Sequence, residues 1–495
     1  MSSIKKLFSQ TLTYGLSSIL GRFAYFLLVP LHTAKLPSRE EYGINTDIYT
    51  IIAFLMVILI YGMETAFFRY SEKKEYDKGL VYSTILKSIF STTALFIFTV
   101  WIFFEPIIES LRYEANPRII VWMIAILVME VTAAIPMAKL RSENRAKRFV
   151  GIKLAHIFTN VGLNVVFLWL IPLMAQNQWP GGEYLQSLFP IGFGVEYIFL
   201  ANVIACIVYN LLLIKEFKPL FGRFDLGLWK KLMIFGWPLM ISGLAGVANE
   251  VADRQFIKYL LPENISLDQL GVYGAVYKLS IFLILFNQAF RYAAEPFFFS
   301  QSDDPNSKDT LARVMKYFVI ILGVGFVFVS AFIPIFKQFI APQYWEGLYV
   351  VPILLAANVF LSINTQVSIW YKLMDKTQYG MIITFSGFAV TLGLNLWLVP
   401  TLGYEGAAWA TLASYFTMTA VSLGMGQNLY PIPYNLKRIV SYLFISFALG
   451  YLAYSYTTPY LWFSVLCLAL TMGLYAYAEK EELQRIVAAL KNRRK

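Results

Sequence analysis

The 495-residue chain is 58% hydrophobic and only 14% charged, against roughly 25% charged in soluble domains. No polar stretch is long enough to make a soluble domain, so a soluble multidomain protein is excluded and one polytopic membrane bundle is expected. The net charge of +11 would suit nucleic acid, but its alternation from loop to loop reads as a topology signal against anionic lipid.

Fourteen apolar spans of ~20 residues are predicted in chain order. They lie near 10–31, 46–68, 80–104, 118–138, 149–172, 194–214, 232–253, 271–291, 314–336, 348–371, 379–399, 405–426, 438–456 and 459–478. The first is too long for a cleaved signal, and no small-residue cleavage site follows it. Most cations fall in alternate loops: Lys5 and Lys6, Arg69–Lys78, Lys139–Arg148, Lys215–Lys231, Lys308–Lys316, Lys372 and Lys376, Lys437 and Arg438, and the tail from Lys480 to Lys495. The opposite loops hold only Lys35, Arg39, Arg112, Arg118, Lys258 and Lys337. The positive-inside rule then puts both termini in the cytoplasm; the cytoplasmic (inner) membrane is the expected location.

Six cations remain inside or at the edges of spans: Arg22, Lys87, Lys153, Arg254, Lys278 and Arg291. A cation in hydrocarbon costs at least ~2.5–3.5 kcal/mol, so it usually faces a protein interior or a watery cavity. Arg22 lies midway through span 1, where it serves a cavity or pairs with Glu64 or Glu130. Lys87 is placed to snorkel. Lys153 and His156 are three residues apart on one helical face. They line a cavity, or Lys153 snorkels and His156 is a core histidine. Arg254 follows Asp253 at the end of span 7, as a binding pair or an interfacial one. Lys278 is deeper in span 8 than snorkelling comfortably allows. Arg291 could equally anchor the interface. Together Arg22, Lys153, His156, Arg254, Lys278 and Arg291 are the candidate substrate contacts. Glu64, Glu130, Glu250 and Asp253 are candidates for Na⁺ or H⁺ coupling, or for neutralising those cations. Asn160, Asn164, Asn249, Asn287, Gln288, Asn364, Gln366 and Asn395 could meet sugar hydroxyls.

Enzyme signatures are weak. The only histidines are His32 and His156, and no Cys/His metal spacing, nucleophile elbow or phosphate-cradling loop appears. Cys206 and Cys467 read as small core residues. No metal site, no cofactor and no catalytic residue are expected.

The chain also repeats itself at roughly 230 residues. Leu36-Pro37 with Glu41-Tyr42-Gly43 matches Leu261-Pro262 with Gln269-Leu270-Gly271. Glu64–Phe68 matches Glu295–Phe298, Lys139-Leu140 matches Lys372-Leu373, and Gly162-Leu163-Asn164 matches Gly393-Leu394-Asn395. The expected organisation is a six-helix lobe at 1–214, a cytoplasmic linker at 215–231, a second six-helix lobe at 232–428, and two extra helices with a basic tail at 429–495. An even-numbered repeat keeps its orientation, so the lobes are expected to be related by an axis along the membrane normal, with a substrate site between them. The linker, with Phe217, Leu220, Phe221, Phe224, Leu228 and Trp229 among cations, reads as an interfacial helix or as a loop with buried aromatics.

These segments resemble the Wzx-type flippases of the multidrug/oligosaccharidyl-lipid/polysaccharide exporter superfamily. The residues that carry the resemblance are Tyr14-Gly15 with Arg22 and Pro30, Glu41-Tyr42-Gly43, Ala138–Glu143, Gly236-Trp237-Pro238, Asp253-Arg254, Gly271-Val272-Tyr273, Pro296-Phe297-Phe298 and Gly406–Thr411. The resemblance implies an all-α fold of 6+6+2 helices and transport of a polyprenyl-pyrophosphate-linked oligosaccharide by alternating access. It also implies a lipid groove lined in part by spans 13 and 14. Implied partners are the lipid-linked glycan, membrane lipids and other glycan-assembly proteins. A multidrug or cation exporter of the same fold is the alternative, and a membrane enzyme of glycan assembly a more distant one.

Overall fold

The computed structural model describes residues 19–190, 194–300, 305–456, 461–482 and 484. All regular structure among them is helical. Eleven helices among the described residues are long and apolar enough to cross a membrane, and Trp462–Ala478 is a shorter apolar one. The protein is therefore a multi-pass membrane protein. The expected span 405–426 is the helix Tyr404–Leu429. Residues 10–18 of the first span, Lys5, Lys6, Tyr14-Gly15 and the tail from Arg485 lie outside the described residues.

Residues 19–26 are helical. Then come α1 (Val29–Lys35), α2 (Arg39–Ile60), α3 (Met63–Ser71), α4 (Lys78–Ile102), α5 (Arg118–Ser142), α6 (Ala146–Val165), α7 (Glu196–Leu213), α8 (Leu226–Leu260) and α9 (Glu263–Tyr277). They are followed by α10 (Ile281–Ser300), α11 (Ser307–Ala331), α12 (Val351–Val367), α13 (Gln378–Leu402), α14 (Tyr404–Leu429), α15 (Leu436–Tyr456) and α16 (Leu461–Ala478). Polar caps set several starts. Ser38 accepts from Glu41 N, Asp77 from Leu80 N and Asp225 from Leu228 N, each satisfying a donor the helix leaves orphaned.

Compact packing divides the chain at residues 1–274 and 275–495, a different place from the linker, because α8 packs along α2, α3 and α4. Two close approaches make that packing possible. The apolar run 46–68 is not one straight helix: Tyr61 and Gly62 adopt left-handed φ values of 33° and 74°. A Cβ on Gly62 would come within 2.5 Å of the Gly236 carbonyl oxygen, so only glycine fits there.

The second approach is reciprocal. A Cβ on Gly43 would strike the Leu267 carbonyl and sit 3.2 Å from Gly271 N. A Cβ on Gly271 would strike the Arg39 carbonyl and sit 3.2 Å from Gly43 N. These are two of the residues matched by the repeat. Each meets the other, and each meets the carbonyl four residues before the other. A duplicated sequence crossing itself about a local two-fold gives this pattern.

The linker contains no interfacial helix of its own. Ile214–Phe221 is a 3₁₀ stretch continuing α7, and Asp225 starts α8. Its aromatics divide: Phe217 packs edge-on to Phe90 at 5.7 Å, and Phe221 is 90% exposed.

Candidate functional site

Unit 1 holds charge at three levels. At one end, α2, the segment 111–113 and α8 meet on a buried ion pair. Lys258 Nζ donates to Asp47 Oδ2 at 2.6 Å and to the Leu111 carbonyl at 2.7 Å. Asp47 also accepts from Tyr113 OH and from Gln255 Nε2, each at 2.7 Å. Burial and the Asp47 carboxylate push the Tyr113 phenol well above its usual range, so it stays a donor. Nearby, Arg39 clamps Asp268 through two bonds of 2.8 Å. Lys258 was expected as a loop cation, and Asp47 had no expected role. They are 1% and 0% exposed. Their pairing spans 211 residues of sequence, so no local signal announces it.

At the opposite end, Glu216, 4% exposed, gathers cations. Lys139 Nζ binds it at 2.7 Å, Arg145 Nη1 at 3.0 Å and Arg148 Nη1 at 2.9 Å. Lys87 donates to the Gly222 carbonyl at 2.7 Å, as a snorkelling lysine would. Arg141 pairs with Glu64.

Between these ends lie the residues singled out from sequence. Arg22 is exposed and makes no ion pair among the described residues. The ion-pair reading of Arg22 is thereby corrected: Glu64 is held by Arg141, and Glu130 groups with His156 and Cys206. Lys153 is half-buried on α6, 5.8 Å from the centre of the Phe149 ring. The charges of Arg141 and Arg22 both act on it. The structure thus brings Arg22, Arg141 and Lys153 into one electrostatic neighbourhood. His156 faces the interior of unit 1, with its ring 4.9 Å from that of Tyr209.

On α8, Asp253 is buried and accepts from Tyr273 OH and from Arg254 N. Arg254 reaches back to the Glu250 carbonyl at 3.3 Å, and Glu250 itself is exposed. Lys278 and Arg291 belong to unit 2. The carboxamide oxygens of Asn287 and Gln288, within one turn of Arg291, are buried with no hydrogen-bond partner among the described residues. The other amides differ. Asn164 is buried between His32 Nε2 at 2.8 Å and Asn160. Asn395 turns its amide onto the Thr391 carbonyl at 2.7 Å. Asn160, Asn164 and Asn395 are therefore interior groups, a correction to their reading as sugar contacts.

Unit 2 is joined mainly by hydroxyls and rings. Ser368 meets Ser422 at 3.1 Å, and Thr391 donates to Ser414 at 2.9 Å. At one end Lys316 donates to Glu479 at 2.7 Å. A groove of about 690 Å³ runs between α11, α12, α14 and α15, walled by Phe326, Phe360, Trp409, Phe447, Tyr451 and Tyr454. Span 13 contributes three of those rings. Span 14 contributes none.

Comparison with solved structures places this arrangement. The chain superposes on the lipid II flippase MurJ in an inward closed conformation with a TM-score of 0.69 at 14% identity, over 95% of this chain and 99% of that one. An inward-facing multidrug resistance MATE transporter of the MOP superfamily gives 0.59 at 14% identity, covering 85% and 94%. The chain shares the fold of these two transporters. The bent form of the Vibrio cholerae MATE transporter VcmN gives 0.54 at 15% identity over 89% and 99%. Residues 184–302 match the family model described as polysaccharide biosynthesis protein. No curated protein sequence matches the chain.

Proposed function

We propose that this protein is a transporter, not an enzyme, and that it flips a polyprenyl-pyrophosphate-linked oligosaccharide across the cytoplasmic membrane by alternating access. The observation that carries the reading is the state of Arg22: a cation in an apolar span, within electrostatic reach of Lys153, with Glu64 held by Arg141. Two neighbouring cations suit a pyrophosphate, for which Arg offers a bidentate fork and Lys a point charge. The polysaccharide family match over 184–302 and the MurJ-like fold agree with this. A drug or cation exporter would need free carboxylates instead; Asp47, Glu64 and Asp253 are engaged, which leaves it only Glu130 and Glu250 of the acidic candidates.

Arg254, Lys278 and Arg291 are further phosphate contacts in this reading, and Asn287 and Gln288 offer acceptors to a sugar. The apolar groove of unit 2 takes the polyprenyl tail. Of the four acidic candidates, Glu130 and Glu250 remain for Na⁺ or H⁺ coupling. The Glu216 end, with its cations, faces the cytoplasm, as do both termini. Impermeant thiol labelling of intact cells checks the topology: cysteine at Lys74 or Arg145 should stay unlabelled.

The decisive test is Arg22→Ala, scored by surface glycan in cells that depend on this protein, with membrane abundance measured in parallel. Display should be lost at normal abundance, and Arg22→Lys should restore part of it. Normal display by Arg22→Ala at normal abundance overturns the proposal. So does loss of display only when the protein is lost too.

A further inference from the structure

The interior of unit 1 contains a set of donors that pyrophosphate chemistry does not use. Glu130 projects from α5, His156 from α6 and Cys206 from α7. One ligand atom from each lies within 4.8 Å of the other two. His156 Nε2 and Cys206 Sγ are 3.6 Å apart. Tetrahedral zinc, with bonds near 2.3 Å to sulfur and 2.0–2.1 Å to nitrogen, requires an S···N separation of about 3.6 Å. Cys206 Sγ is also 3.6 Å from Asn202 Oδ1. The Asn202 amide is held in that sense because its Nδ2 donates to Tyr49 OH at 2.7 Å. Three donors from three helices therefore lie within ligating reach of one another, with the Asn202 carbonyl oxygen beside the thiol.

We infer that unit 1 binds one divalent ion of the zinc class through Glu130, His156 and Cys206, with Asn202 as the fourth donor. The donor set selects the ion. A thiolate and an imidazole favour zinc and its neighbours over Na⁺, Mg²⁺ or Ca²⁺, which prefer oxygen alone. Charge balances as well. The carboxylate and the thiolate neutralise the ion, which the adjacent Lys153 ammonium would otherwise repel. Binding displaces the thiol proton, since a coordinating cysteine must be ionised. Glu130 and His156 are only partly buried, whereas Cys206 is buried. The spacing of these residues in sequence conceals it. With the ion bound, Glu130 cannot exchange protons, and coupling is left to Glu250.

The test uses the full-length protein in detergent and Co²⁺ as an optical stand-in for Zn²⁺. Wild type should develop a thiolate-to-cobalt charge-transfer band at one ion per chain, bleached by stoichiometric Zn²⁺. Cys206→Ser should lose the band, while Cys467→Ser, which alters the other buried cysteine, should keep it. Tyr49→Phe should keep the band but bind ~10–100-fold more weakly, the usual cost of removing a group that orients a ligand. Absence of the band in wild type overturns the inference. So does its survival in Cys206→Ser or its loss in Cys467→Ser. If Cys206→Ser is not monodisperse, His156→Gln is read instead: affinity falling at least ~10-fold supports the site, and unchanged affinity overturns it. Because the readout is ion binding, failure here leaves the transport reading of Arg22 standing.

Discussion

The two units use polar atoms differently. Unit 1 buries ionised groups: Asp47 with Lys258, Glu216 with three cations, and Glu196 accepting from Trp122 and Asn116. Unit 2 buries serines, threonines and asparagines, gathers Lys316 and Arg438 on the buried Glu479 at one end, and opens an aromatic groove. Hydroxyl pairs cost little to desolvate, whereas a buried charge is tolerable only with its partner in place. Unit 1 suits charged cargo or ions. Unit 2 offers a surface for hydrocarbon.

The largest expected effect breaks the charged side of this contrast. Lys258→Ala leaves Asp47 buried and unpaired and should cost ~3–5 kcal/mol, read as a large drop in thermal stability in detergent. Asp47→Leu combined with Lys258→Met should recover most of the loss. If the single substitution is harmless, the pair is not the structural pin described here.

A smaller effect tests the shared ancestry. Gly43→Ala and Gly271→Ala each drive a methyl into a backbone carbonyl and should each cost ~1–3 kcal/mol. The two costs should be similar, and the double variant should lose less than their sum, because one separation of the helices relieves both clashes. Unequal costs that simply add would argue against the reciprocal crossing.

The smallest effect on stability sharpens the reading of unit 2. Tyr451, 64% exposed, can become Ala at a cost of only about 0.5 kcal/mol. If the groove takes a polyprenyl chain, glycan display should nevertheless fall at normal abundance. Unchanged display would leave the groove without that role.

Much of the fold was legible because hydrocarbon imposes its own grammar. Long apolar runs follow from local composition, and most expected spans coincide with helices. The break at Tyr61-Gly62 was not legible, since it depends on the approach of Gly236. Neither was the Asp47–Lys258 pair, whose members looked like ordinary residues at span ends. Cys206 was read correctly as buried but not as a neighbour of His156, because three helices must assemble before their ligand atoms meet. Arg22 and Lys153 stood out for the opposite reason: a lone cation in an apolar run is conspicuous without any tertiary knowledge.

The reciprocal meeting of Gly43 and Gly271 has a historical consequence. A single six-helix copy with one glycine at this position would face its own counterpart in a second molecule across a two-fold axis. One substitution there would act twice in each assembly. With both glycines in one polypeptide, each can change alone. A fused pair of such copies would leave the crossing of Gly43 and Gly271.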